Sequence, residues 1–169
     1  IYKDPEINRS NPNPEAYRKA SSLRAQASWL PDSDGPWNWR NTGYLRWSEM
    51  DFLMHFLPGQ PREKNGQVSG GFMLFGQRDS VWDSLLTTGL DLELASAYMD
   101  QFQDKPTSGF GADRRPEGQQ YDYDVWSFVA APYGRLQVPF GERITLLAGL
   151  RVEYMRYDYT NTLLTGNTK

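Results

Sequence analysis

His55 is the only histidine in the 169-residue chain, and there is no cysteine. A Ser/His/acid triad would have to use His55, which stands in MDFLMHFLPG among Phe52, Phe56 and Leu57; packing there as a rim or loop residue is the simpler role. Zinc needs a cluster of nitrogen or sulfur ligands, and one histidine supplies none. SGGF and SGFGADRR lack the Lys-Ser/Thr pair of a phosphate-cradling loop. Asp122 and Asp124 in YDYDV have the spacing to share a strand face and could help hold a hard cation, although such carboxylates are ordinarily solvated or paired with arginine. No catalytic residue, cofactor or metal site is expected.

The remaining charged residues are ordered by the segments around them. In ERITLLAGLRVEYMRYDY every second residue from Ile144 to Tyr154 is apolar, and Arg151 and Glu153 fall in the interleaved set. A strand sends alternate side chains to opposite faces, so one face is apolar and the other mostly polar. Five earlier segments read the same way. Leu23, Ala25, Ala27 and Trp29 oppose Arg24 and Gln26; Trp39, Gly43, Leu45 and Trp47 oppose Arg40, Tyr44 and Arg46. Val68, Phe72 and Leu74 mark a third strand weakened by glycines, Leu86 to Leu94 oppose Asp91 and Glu93, and Leu136 and Val138 oppose Arg135. The polar side thus collects Arg24, Arg40, Arg46, Asp91, Glu93, Arg135, Arg151 and Glu153.

These runs reach about 10 residues or more, the length that crosses a bilayer, where globular strands have about 5 or 6. Their connections alternate between tight turns (PDSDGP, RDSVWDS, PFGE) and long polar links (HFLPGQPREKNG, MDQFQDKPTSGFGADRRPEGQQ), as in outer-membrane barrels with short turns at one rim and long loops at the other. Trp29, Trp37, Trp39, Trp82 and Phe140 mark the short-turn rim, and Tyr98, Tyr121, Tyr123, Tyr154 and Tyr157 the long-loop rim, as two interfacial belts would. A mean hydropathy of -0.70 and no long apolar run exclude a helical membrane protein. With a net charge of -3 and no basic stripe, no nucleic-acid partner is expected. The fold class expected is all-β, an antiparallel up-and-down transmembrane β-barrel. About six strands cannot close such a barrel, whose single-chain bacterial forms start at about 8, so either they belong to a larger one or the membrane reading fails. A soluble antiparallel sandwich that binds sugar or protein uses the same pattern, with the charged face simply wet.

The stretch APYGRLQVPFGERITLLAGLRVEYMRYDY resembles the barrel hairpins of TonB-dependent outer-membrane receptors, whose return strands read R-(I/L)-T-L-x-A-G-L-R-x-E-Y, matched at residues 143–154. EMDFLMHFLPGQP and GLDLELASAYMDQFQDKPT look like strand-to-loop passages of the siderophore-receptor branch. The resemblance implies that residues 1–169 are part of one barrel domain of roughly 22 strands with a plugged lumen. It implies a bacterial outer-membrane receptor that imports a metal chelate, a ferric siderophore above all, energised through the TonB complex. The charged set would line the lumen against the plug. The long-loop rim would contact the ligand through His55, Phe56, Arg114, Arg115, Tyr121, Tyr123 and Arg156, where aromatic and arginine side chains can stack on and neutralise an anionic chelate. The chain begins at Ile1 and contains no plug domain, TonB-contacting box or signal peptide, so it is expected to be a piece of a longer precursor, meeting TonB only through a plug outside it. A passive outer-membrane pore and an outer-membrane hydrolase using His55 are the other functions weighed.

Overall fold

The computed structural model describes residues 13–32, 34–107 and 116–163, which form a single antiparallel sheet. Its strands are β1 (Arg18–Trp29), β2 (Asn38–Leu53), β3 (Arg62–Asp79), β4 (Leu85–Gln103), β5 (Gly118–Phe140), β6 (Ile144–Arg151) and β7 (Tyr154–Asn161). From β1 to β6 each strand pairs with the next in sequence, the up-and-down order expected, and β7 also pairs with β5. A 3-10 turn at Val81–Asp83 is the one helical element among the described residues.

The sixth strand expected from the alternation corresponds to β6 and β7 together. The register runs from Phe140↔Ile144 to Tyr133↔Arg151 and continues from Ala130↔Tyr154 to Tyr123↔Asn161 without a slip. Pro132 explains the interruption. Val152 N–H donates to the Pro132 carbonyl at 3.1 Å, but proline has no N–H to return to Val152, so the ladder loses one rung at residues 152–153. Pro139, also in β5, pairs with Thr145 and lies past Gln137, the last β5 residue paired with β4.

The strands are longer than expected and the long links shorter. Residues 62–66 belong to β3, and 99–103 and 118–120 belong to β4 and β5, which leaves links at 54–61 and 104–117. A hydrogen-bonded ladder needs no apolar side chains, so it continues into polar sequence. β5, at 23 residues, far exceeds the roughly 9 to 11 that cross a bilayer.

Registered partners share a face, and the ladder sorts the chain into two sets. One holds Leu23, Leu45, Trp47, Val68, Phe72, Leu92, Leu94, Trp126, Leu136, Ile144, Leu150 and Tyr154; the other holds Gln26, Tyr44, Ser69, Glu93 and Arg151. Neither face has a second sheet packed on it among the described residues, and Ala131 is the only buried hydrophobic residue there. A sandwich requires two sheets interdigitating over a core. The described residues have the alternation without the core.

Pro132→Ala tests the account of the interrupted strand. The added donor should slow amide exchange at Val152 and Tyr154. Net stability should stay within about 1 kcal/mol, since the new hydrogen bond is offset by the lost rigidity of proline.

Candidate functional site

All eight residues Arg24, Arg40, Arg46, Asp91, Glu93, Arg135, Arg151 and Glu153 have the parity of one face. Arg24, Arg46 and Ser69 share a rung, Gln26, Tyr44, Gly71 and Glu93 share the next, and Asp91 opposes Ala131. Two ion pairs tie this face together. Arg46 meets Glu93 at 2.5 Å, bridging over β3, and Arg151 meets Asp91 at 2.5 Å, bridging over β5. Arg151 also lies 3.5 Å from Glu153. The Arg46 guanidinium further donates to Ser69 Oγ at 3.2 Å and stacks on the Tyr44 ring, while the Tyr44 hydroxyl donates to the same Glu93 carboxylate.

Glycines make these reaches possible. Tyr44 is registered opposite Gly71 and Tyr133 opposite Gly89, and on the other face Tyr98 stands opposite Gly66 and Trp39 opposite Gly76. In all four pairs a Cβ on the glycine would collide with the ring. The ring therefore lies flat across the neighbouring strand. For Tyr44 this carries the hydroxyl over Gly71 to Glu93, which is Gly71's partner on β4. The glycines that weaken β3 as a sequence pattern are seats for aromatic rings.

The expected ligand residues do not form one cluster. His55 and Phe56 occupy the 54–61 link, their rings edge-on at 5.6 Å. They border a groove of about 530 Å³ with Ala16, Tyr17, Arg18, Phe52 and Leu53, where Arg18 stacks over Phe52. Beside the groove, Tyr17 donates to Asp51 at 2.8 Å, and Asp51 takes a two-pronged contact from Arg62 at 3.1 and 2.7 Å. Burial, and then the hydrogen bond to Asp51, push the Tyr17 phenol above its usual pKa. Tyr17 and Arg18 carry no signal of their own in the sequence, where Phe52 stands only as a neighbour of His55. Their common signal is that Arg18 and Phe52 are registered partners, which requires the pairing to be known.

Tyr121 and Tyr123 lie on β5, three strands from β2 and so roughly 15 Å away. They have the parity of the charged face, and Tyr123 packs against Tyr159 at 5.1 Å. Arg156 is on the other face, registered opposite Phe128 and 3.6 Å from Asp158. The sheet therefore places Arg156 on the face opposite the two tyrosines: nearness along a rim does not put residues on one side when parity differs. Arg114 and Arg115 lie outside the described residues. Of the expected long-loop belt, Tyr98 and Tyr154 share the apolar face, whereas Tyr121, Tyr123 and Tyr157 have the opposite parity. On the apolar face Trp47 and Trp126 stand near that rim instead.

Neither groove beside His55 supplies a serine. The second is lined by Asn13, Pro14, Glu15, Ala16, Leu53, His55, Gln60 and Lys105.

A family model described as "TonB dependent receptor-like, beta-barrel" matches residues 2–169. No curated protein matches the chain.

Gly71→Val should drive the Tyr44 ring off its seat and break its bond to Glu93. The expected loss is about 1 to 3 kcal/mol, the usual scale of forced overpacking, read by urea unfolding in micelles. Gly43→Ala is the control, since nothing lies within 4 Å of a Cβ there, and it should be neutral or slightly stabilising.

Proposed function

The chain belongs to the TonB-dependent receptor β-barrel family, a family of bacterial outer-membrane transporters, and from that membership we propose that it is the wall of a receptor importing a ferric siderophore or a similar metal chelate. In this reading uptake is energised through TonB by way of a plug domain outside the chain. The charged face lines the lumen and the apolar face meets lipid.

One observation supports the lipid assignment above the others: a broad apolar face with nothing packed on it among the described residues. Leu150 is 73% exposed, Leu45 68% and Ile144 65%. An uncovered apolar surface of this extent promotes association in water, whereas acyl chains cover it at no cost. The band also runs obliquely to the rungs. At the long-loop edge the rung of Leu23 and Trp47 passes through Val68, Ser96 and Trp126 to Asp158, yet the band on that last strand ends at Tyr154, four residues nearer the turn. At the other edge the rung of Trp29 leads to Pro132 and its partner Val152, while the band continues to Ile144, eight residues further. Strands spaced about 4.8 Å apart and tilted about 40° slip by about 1.2 residues per strand relative to a bilayer plane, or about six over five steps. The two displacements bracket that value.

The ligand reading rests on the rim that holds the groove. Aromatic rings from Phe52, His55 and Phe56, with the Arg18 guanidinium over Phe52, suit a planar or anionic chelate. Tyr121 and Tyr123 extend the contact along the lumen side, with Arg114 and Arg115 on the adjoining link.

Three measurements test the proposal. The parent protein should remain in the membrane fraction until detergent is added, and recovery in an aqueous extract would defeat the lipid assignment. Within the band, Leu92→Arg should cost about 2 to 4 kcal/mol of barrel stability, whereas Met73→Arg on the charged face should cost far less. For the ligand, His55→Ala combined with Phe56→Ala should weaken ferric-chelate binding by about tenfold with the barrel intact; unchanged affinity would remove this groove from the binding path.

A further inference from the structure

The link at 54–61 is built as a closed body. Met54 N–H donates to Pro61 O at 2.9 Å, Leu57 N–H to Met54 O at 3.0 Å and Gln60 N–H to Leu57 O at 3.0 Å. The chain reverses through two left-handed residues, Gly59 (φ 78°) and Gln60 (φ 47°). Two glutamines from the end of β4 then grip it. Gln103 is fully buried, as is Pro61, and the Gln103 amide occupies the space that a Cβ on Gly59 would need. Its Nε2 donates to the Lys105 carbonyl at 2.8 Å. Gln101, also buried, donates to Glu63 Oε2 at 3.1 Å and touches Met54 Sδ at 3.6 Å. Glu63 is held in turn by Asn65 at 2.7 Å. These contacts clasp the loop at both ends, and Lys105, at the start of the 104–117 link, pairs with Glu15 at 3.6 Å.

We infer that Gln103 is a positioning residue: with Gln101 it latches the 54–61 link onto β4, so that His55 and Phe56 form a fixed wall of the groove and the start of the 104–117 link moves with them. The importance of the groove rests on the transport reading above; the latch itself does not. Gly59 serves the latch twice, by taking a left-handed backbone and by leaving room for the amide. Substitution there is therefore the mirror image of substitution at Gln103.

Hydrogen exchange on the full-length protein in micelles tests this without a ligand, so its failure leaves the transport reading standing, and failure of chelate binding leaves the latch standing. In the unaltered protein the amides of Met54, Leu57 and Gln60 should exchange on the slow scale of the ladder. Exchange as fast as that of an unstructured peptide would overturn the proposal even if no variant folds. Gln103→Ala, which removes the side chain packed on Gly59, and Gly59→Ala, which displaces it, should each speed exchange across 54–61 by about tenfold, the scale of a lost buried packing contact. The 104–107 peptide should change with it, and ladder peptides around Trp47 and Val68 should not. Unchanged exchange at 54–61 in both variants, or acceleration spread equally over the ladder, would sink the assignment.

Discussion

The antiparallel ladder is the constraint on which everything else here depends. A chain that crosses hydrocarbon must pair its backbone polar groups along the sheet, and from β1 to β6 and β7 each strand is hydrogen-bonded to its neighbour, with one register shift among the described residues, between Gln101 and Phe102. The same ladder has a period of two, so satisfying the backbone also sorts the side chains. A slip of one residue would exchange Leu45 and Leu94 for Tyr44 and Glu93 and present the ion pairs to the apolar side. Register, charge network and apolar face are therefore one property. The ion pairs Arg46–Glu93 and Arg151–Asp91, each reaching over an intervening strand, add a penalty for slippage that neighbouring pairs alone would not supply.

Much of this was legible in the sequence because period-two alternation is a local signal. The segments around Leu23, Leu45, Leu92 and Ile144 each declare their faces within a few residues, and the eight charges follow by counting. The tight turns were also readable, from PDSDGP and PFGE. What the sequence hides is everything that depends on the partner strand. The ends of β3, β4 and β5 are polar and look like loop until the ladder pairs them. Arg156 and Tyr157 are adjacent in the chain, and only the register shows which of them shares a face with Phe128. The groove residues Tyr17, Arg18 and Phe52 meet because Arg18 pairs with Phe52, a relation across 34 positions.

Glycine shows how far the two views can differ. Read along the chain, Gly66, Gly71, Gly76 and Gly89 lower strand propensity. Read across it, each faces a Tyr or Trp and gives that ring a place to lie flat. A large ring standing upright would protrude from the face of the sheet; lying over glycine it covers backbone and extends sideways to the next strand. The local weakness is exchanged for a longer-range contact, so conformity with strand propensity is a poor guide to the strength of this wall.

The oblique course of the apolar band has a consequence for how substitutions on this wall should be compared. A rung is not a contour of depth. With the apolar face against lipid, as proposed, the rung of Ala25, Leu45, Gly70, Leu94, Phe128 and Arg156 would start among acyl chains and end at the level of the headgroups, traversing a gradient of polarity while remaining one straight row of registered partners. The same charged side chain is costly at one end and routine at the other. Arg156 is thus an ordinary residue for its height, though it shares a row with leucines, and the natural coordinate for this wall is the diagonal.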